Sequence, residues 1–279
     1  MNIINSLKKS VKNYNIRKDP FKYFRLIKEN ILYPGSFMFD FVVIGVQKAG
    51  TSALDKYLRD HTKLAMPIWK EISYFNNDKG FINNNLPNPR AFYRIKNRMK
   101  MYGEITPCYI YSPYAVERMK KHNPQMKIIV MLRNPIDRAF SQYNMETWRN
   151  WEKRSFLECI MKEIEEIKAG TKKYHMVRSY VHRGMYVEQI ERVLKSFPNE
   201  QVLFLKYEDF RKDQKSSLQH IYHFLGVNEI PFNQEKTANK ISYSSKMGEP
   251  EKDILRNFFL PTILEVEKRL SWDCSDWKE

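Results

Sequence analysis

In the run Phe41 to Asp55, FVVIGVQKAGTSALD, the residues able to do chemistry are Lys48, Thr51 and Ser52, set among Gly45, Ala49 and Gly50. Glycines at this spacing let the backbone approach a ligand, and the free amides of a helix N-terminus point at an anion. The stretch therefore reads as a phosphate cradle between a strand and a helix. A Walker A loop, G-x-x-x-x-G-K-[ST], carries its lysine directly after the second glycine. Here Thr51 holds that place and the lysine lies inside the loop, at Lys48. The pattern predicts a P-loop-like anion cradle and argues against an ordinary ATPase or GTPase.

A second cluster lies in KIIVMLRNPIDRAFSQY, Lys127 to Tyr143. The apolar run Ile128 to Leu132 leads straight into Arg133, and Pro135 suits the first position of a following helix. A P-loop NTPase ends its second key strand in an Asp that holds Mg²⁺. A strand ending in Arg instead offers a planar fork to a second anionic group. Ser141, two helical turns on, adds a hydroxyl to the same region. Arg138 on that helix reads as a solvated or salt-bridged side chain.

These segments, in this order, resemble the sulfotransferases that use 3'-phosphoadenosine 5'-phosphosulfate (PAPS). The nearest branch is that of the heparan sulfate and carbohydrate sulfotransferases and their bacterial relatives. The resemblance covers about residues 38 to 279 and implies a P-loop-like α/β fold: three layers, with a central parallel sheet flanked by helices. It implies that the loop of Gly45, Lys48, Ala49, Gly50, Thr51 and Ser52 binds the 5'-phosphosulfate, and that Arg133 and Ser141 bind the 3'-phosphate. Lys48 is then the cation for the leaving phosphate. In WKEISYFNN, the pair Lys70-Glu71 ahead of Tyr74-Phe75 marks Glu71 as the catalytic base. An ordinary carboxylate at a helix start is the other reading of Glu71. In RGMYVEQ, Gly184 and Tyr186 resemble residues that shape the nucleotide pocket. In SYSSKMGEP, Lys246 and Gly248 resemble a late loop that closes over the nucleotide, with Lys246 reaching the phosphosulfate or the 3'-phosphate. Tyr243 is read either as an adenine stack or as core.

Three departures stand out. Ser73 replaces a histidine that some members carry, Ile105 replaces the lysine of a Glu-Lys-Thr-Pro-x-Tyr segment, and no cysteine-bracketed insertion precedes the late loop. Sulfuryl transfer asks for cations at the leaving phosphate, a base for the acceptor proton and exclusion of water. It does not ask for a metal, and none is expected. The implied activity is transfer from PAPS to a hydroxyl, or in second place an amine, of a carbohydrate or similar polar acceptor. A P-loop small-molecule kinase and a non-catalytic polyanion-binding protein remain as alternatives. His175 or His182 is the reserve base.

The net charge of +16 favours anionic ligands without choosing among nucleotide, acidic glycan, nucleic acid and membrane surface. No specific nucleic acid is expected. Cys108, Cys159 and Cys274 form no CxxC or Cys/His cluster, so free thiols in a reducing compartment fit best. No apolar run nears the ~18–20 residues of a membrane span, and a cytoplasmic enzyme is expected.

The elements that must position these residues alternate. Strands are predicted at Phe39–Gly45, Tyr102–Ile105, Ile128–Leu132 and Val202–Leu205. Helices are predicted at Thr51–Asp60, Pro113–His122, Pro135–Arg149, Ser155–Ala169, Gly184–Phe197, Asp213–Leu225 and Pro250–Arg269. Repeated β-then-α order implies a parallel sheet. Asn76 to Pro89 reads as a mobile loop and Ile230 to Gly248 as irregular. In the acceptor-side loops, Phe81, Arg90, Tyr93, Arg94, Trp148 and Trp151 suit sugar stacking or helix packing. Residues 1–37 form a basic arm, read either as a helix packed on the main domain or as peripheral contact with an anionic surface.

Overall fold

A computed structural model describes residues 37–83, 86, 88–93, 100–236 and 246–279. The readings of the basic arm up to residue 36, of Arg94 and of Tyr243 fall outside the described residues. Phe37, the last residue assigned to the arm, belongs with the domain: its ring lies 4.8 Å from Tyr102 and 5.3 Å from Tyr93.

Five parallel strands form one sheet in the order β2-β3-β1-β4-β5. They are β1 (Phe41–Gly45), β2 (Leu64–Ala65), β3 (Met101–Ile105), β4 (Lys127–Leu132) and β5 (Val202–Lys206). Parallel neighbours need long crossovers, and helices supply them. α1 (Thr51–Asp60) leads from β1 to β2, α2 (Asp78–Ile82) lies between β2 and β3, and α3 (Ala115–His122) joins β3 to β4. α4 (Pro135–Trp148), α5 (Phe156–Lys168) and α6 (Tyr186–Ser196) lie between β4 and β5. α7 (Tyr207–Lys212), α8 (Gln214–Leu225) and α9 (Glu249–Leu270) follow. Among the described residues, no helix is long and apolar enough to cross a membrane.

The central strands read as continuous apolar runs because helices cover both of their faces. Every residue of β1 is buried, as is β4 from Ile128 to Leu132. From β1 the chain leaves toward β2; from β4 it leaves toward β5. The two adjacent strands thus part at their carboxyl ends, the crevice where open α/β sheets bind ligands. α4 starts where the sequence predicts: Pro135 occupies its first turn and the Asn134 side chain accepts from the Ile136 amide at 2.9 Å.

Several expectations are corrected. The stretch expected as a mobile loop holds α2, started by the Asn77 side chain, which accepts from the Gly80 amide at 3.1 Å. Tyr93, grouped with the acceptor-side aromatics, is a core residue whose hydroxyl donates to the Gly103 carbonyl at 2.9 Å. Arg138 is fully buried rather than solvated. It donates to Gln142 Oε1 at 2.7 Å and to the Tyr180 carbonyl, and burial lowers its pKa to about 10.

Candidate active site

The loop between β1 and α1 is shaped by two left-handed residues, Lys48 (φ 77°) and Gly50 (φ 75°). Gly50 cannot be replaced cheaply, since a Cβ there would come within 2.8 Å of the Tyr207 ring. Gly45 is bounded in the same way by Ile110, whose Cγ2 would lie 2.4 Å from an added Cβ. At the start of α1, Gly50 provides no side-chain cap. The first helical amides, those of Thr51 and Ser52, keep the orientation that suits an external anion. Thr51 and Ala49 are buried and Ser52 is half-buried.

Arg133, directly after β4, closes the loop from the other side. Its guanidinium donates to the Lys48 carbonyl at 2.9 Å, lies 5.0 Å above the Tyr207 ring and meets Asp137 at 3.5 Å. Its buried Nε has no partner among the described residues. Tyr186 is completely buried and donates its hydroxyl to the Arg133 carbonyl at 2.7 Å, so it acts on the site through the backbone of Arg133. Next door, the Asn134 amide donates to Glu208 Oε1 at 3.0 Å. Ser141 is buried on α4.

Lys48 carries the electrostatic signature of the site. Its pKa is lowered to about 8, first by burial and then by repulsion from Arg133 and Arg149, with Glu146 opposing. Its amine makes no hydrogen bond or ion pair among the described residues. A half-buried ammonium beside several arginines is a place prepared for an anion.

Glu71 approaches from the turn Trp69–Phe75. Its amide donates to the Ile105 carbonyl at the end of β3, at 3.1 Å, and its carboxylate is half exposed. Lys70 Nζ lies 2.7 Å from Glu71 Oε1 and 3.5 Å from Thr51 Oγ1, and so ties the carboxylate to the loop. Glu71 and Ser73 are left-handed as well, at φ 61° and 53°. Non-glycine residues in that region cost about 1–2 kcal/mol each and gather at functional sites.

The structure thus brings Gly45, Lys48, Ala49, Gly50, Thr51, Ser52, Glu71 and Arg133 to one crevice, with Tyr186 behind Arg133. Lys246 is exposed and Gly248 is the N-cap of α9, and among the described residues no hydrogen bond or ion pair ties either to the loop. The reserve histidines are engaged elsewhere. His175 Nδ1 accepts from the amides of Val177 and Arg178, and His182 Nδ1 pairs with the Tyr111 hydroxyl at 2.8 Å. Among the described residues, no group of three or more His, Cys, Asp or Glu is placed to hold a metal ion.

Sequence reasoning missed the supports. Arg183 is buried, donates to Gln47 Oε1 at 2.7 Å and to the Met176 carbonyl, and lies 4.8 Å over the Tyr111 ring. It fixes the loop from the turn before α6. Only the Arg-Gly pair opening RGMYVEQ hinted at it. Lys70 was visible as the neighbour of Glu71, but its reach to Thr51 was not.

Residues 39–252 match the sulfotransferase domain family, and the chain belongs to it. It is 26% identical over 297 aligned positions to the membrane-associated sulfotransferase kil1 of Dictyostelium discoideum, covering 79% of this chain and 62% of that protein. It is 28% identical over 207 positions to human heparan sulfate glucosamine 3-O-sulfotransferase 3B1, covering 71% of this chain and 49% of that one. The chain therefore spans about half to three fifths of these relatives. A solved sulfotransferase from Alicyclobacillus acidocaldarius superposes with a TM-score of 0.70 at 29% identity, covering 87% of this chain and all of the other.

Proposed function

We propose that the chain transfers the sulfuryl group of PAPS to a hydroxyl, and in second place an amine, of a carbohydrate or similar polar acceptor. The observation that carries this reading is Lys48: a half-buried cation, crowded by Arg133 and Arg149, inside a loop that leads into the N-terminus of a helix. A divalent-metal nucleotide chemistry would ask for a carboxylate at the end of β4, where Arg133 stands.

PAPS brings an electrophilic sulfur and a phosphate leaving group. In this reading the amides at the start of α1, with Thr51 and Ser52, hold the 5'-phosphosulfate. The Lys48 ammonium meets the negative charge that grows on the leaving phosphate. Arg133, with Ser141, takes the 3'-phosphate, and Tyr186 keeps Arg133 in place. Glu71 accepts the acceptor's proton as its oxygen attacks sulfur in line with the departing phosphate oxygen. Lys70 holds that carboxylate beside Thr51. Lys246 and Gly248 enter as a segment that reaches the nucleotide once it is bound.

The acceptor side of the reading draws on the edge formed by Trp148 and Trp151, which are 72% and 54% exposed, with Arg149 stacked 5.2 Å over Trp151. A depression of about 390 Å³ includes Lys162, Lys173, His175 and Arg178 in its lining, with Lys172 ion-paired there to Glu163 and Glu166. It is joined to the loop through Met176, Arg183 and Gln47. Aromatic faces with cations suit a sugar that bears acidic groups, and the human relative reported above is named for heparan sulfate.

Glu71→Gln tests the mechanism. Sulfation, followed with labelled PAPS and a panel of glycans, should fall by about 10²–10⁴-fold, while the affinity for 3',5'-phosphoadenosine stays within a few-fold. Wild-type turnover in that variant removes Glu71 from the reaction.

A further inference from the structure

The turn that carries Glu71 is strained and half exposed, yet it hangs from a fully buried acid. Glu104 lies on β3 with no solvent exposure, and its Oε2 accepts from the Thr106 hydroxyl at 3.0 Å. Thr106 Oγ1 in turn accepts from the Ser73 amide at 3.4 Å. Beside it, the Tyr109 hydroxyl accepts from the amides of Tyr74 and Phe75 at 2.7 and 3.3 Å. The Ile105 carbonyl takes the Glu71 amide. Backbone amides of the turn at 71, 73, 74 and 75 thus all end on residues 105–109, and Glu104 sits beneath that set.

From this geometry we propose that Glu104 is a positioning residue for Glu71: a buried carboxyl that, through Thr106 and Tyr109, holds the left-handed turn and aims the base at the crevice. The proposal rests on Glu71 being the base.

Its chemistry is consistent. Burial pushes Glu104 up to about 8, with Tyr109 and Thr106 pulling the other way, Glu71 adding to the rise and Lys70 opposing it. At neutral pH it is an uncharged acid. A charged Glu104 would set a second negative charge behind Glu71 and compete for Lys70. The neutral acid accepts from the Thr106 hydroxyl without that repulsion. Tyr93 and Cys108, the remaining titratable groups that face it, are buried and themselves pushed toward their neutral forms. Nothing in this arrangement touches Lys48 or Arg133, so nucleotide binding is not its task.

The test compares Glu104→Val, Glu104→Gln and Thr106→Val, each alone and with Glu71→Gln. For Glu104→Val and Thr106→Val the expected result is a fall in kcat of roughly a hundredfold, the scale of a misplaced catalytic group. The KM for PAPS and the binding of 3',5'-phosphoadenosine should stay within a few-fold. Glu104→Gln, an uncharged isostere, should recover the rate to within a few-fold of wild type. In the Glu71→Gln background none of the three should cost a further factor, because the group they position is gone. Near-normal kcat in both valine variants overturns the proposal. So does a rate loss that persists undiminished in the Glu71→Gln background, or one that Glu104→Gln does not rescue. Full activity of Glu71→Gln alone is a different outcome, which removes the base reading beneath the proposal.

Discussion

Lys48 is the residue on which charge, backbone and loop meet. Its amine must be protonated to serve an anion, and burial with its arginine neighbours has lowered its pKa to about 8. The pH dependence of kcat/KM for PAPS reports groups of the free enzyme. That parameter should therefore decline as pH rises through about 8. Glu104 titrates in the same range, so the profile is best read in the Glu104→Gln background. There, Lys48→Arg should keep its charge and move the alkaline limb upward by more than one pH unit, at some cost in rate from the altered shape. An unmoved limb would assign it to another group. At this scale much was legible in the sequence. Gly45, Lys48, Gly50 and Thr51 lie within one turn of chain, and Arg133 follows an unmistakable buried strand, so spacing alone carried them. Glu71 came only through the family resemblance. Glu104, Gln47 and Arg183 were not legible as supports, because each acts on a segment far away in sequence: Gln47 and Arg183 meet across 136 positions.

At the scale of elements, the loop and the base are held in register by the contact of β1 with β3. Phe41 pairs with Gly103 across these strands. A Cβ at Gly103 would come 2.0 Å from the Phe41 ring, which is itself fully buried. In an ordinary strand, alanine improves on glycine. Here Gly103→Ala should instead destabilise the fold by about 1–3 kcal/mol through overpacking, seen in urea denaturation, and should lower turnover as β3 shifts the Glu71 turn. A variant as stable as wild type would mean that the ring relaxes freely. The elements that could be read in advance, β1, β4, α1, α4 and α9 among them, have long apolar or periodic signals, and α4 adds the Asn134 cap with Pro135 in its first turn. β2, with two residues, and the short helices α2 and α7 gave no such signal. They are shorter than the window over which periodicity can be recognised, and tertiary contacts fix them. Tyr93 and Arg138 were misplaced for a related reason: a polar atom on a long side chain hides how much of that chain can be buried once the atom finds a carbonyl.

Over the whole molecule, a net charge of +16 and a crevice at the parting of β1 and β4 agree on an anionic ligand. Charge alone left glycan, membrane, nucleic acid and nucleotide equal. The fold narrows this, since the cations that matter converge at the carboxyl ends of two neighbouring strands instead of forming a diffuse surface. In the function proposed here, this crevice takes a 3'-phosphorylated adenine nucleotide without a metal. The most direct test is the melting temperature of the protein with 3',5'-phosphoadenosine or ATP, each with and without Mg²⁺. Ligand at a hundredfold excess over its Kd should raise the Tm by about 5–10 °C. That rise is expected with 3',5'-phosphoadenosine, equal in EDTA and in Mg²⁺, with little shift for ATP. A shift seen only with ATP and Mg²⁺ would contradict it and make a nucleoside-triphosphate phosphotransferase the working description.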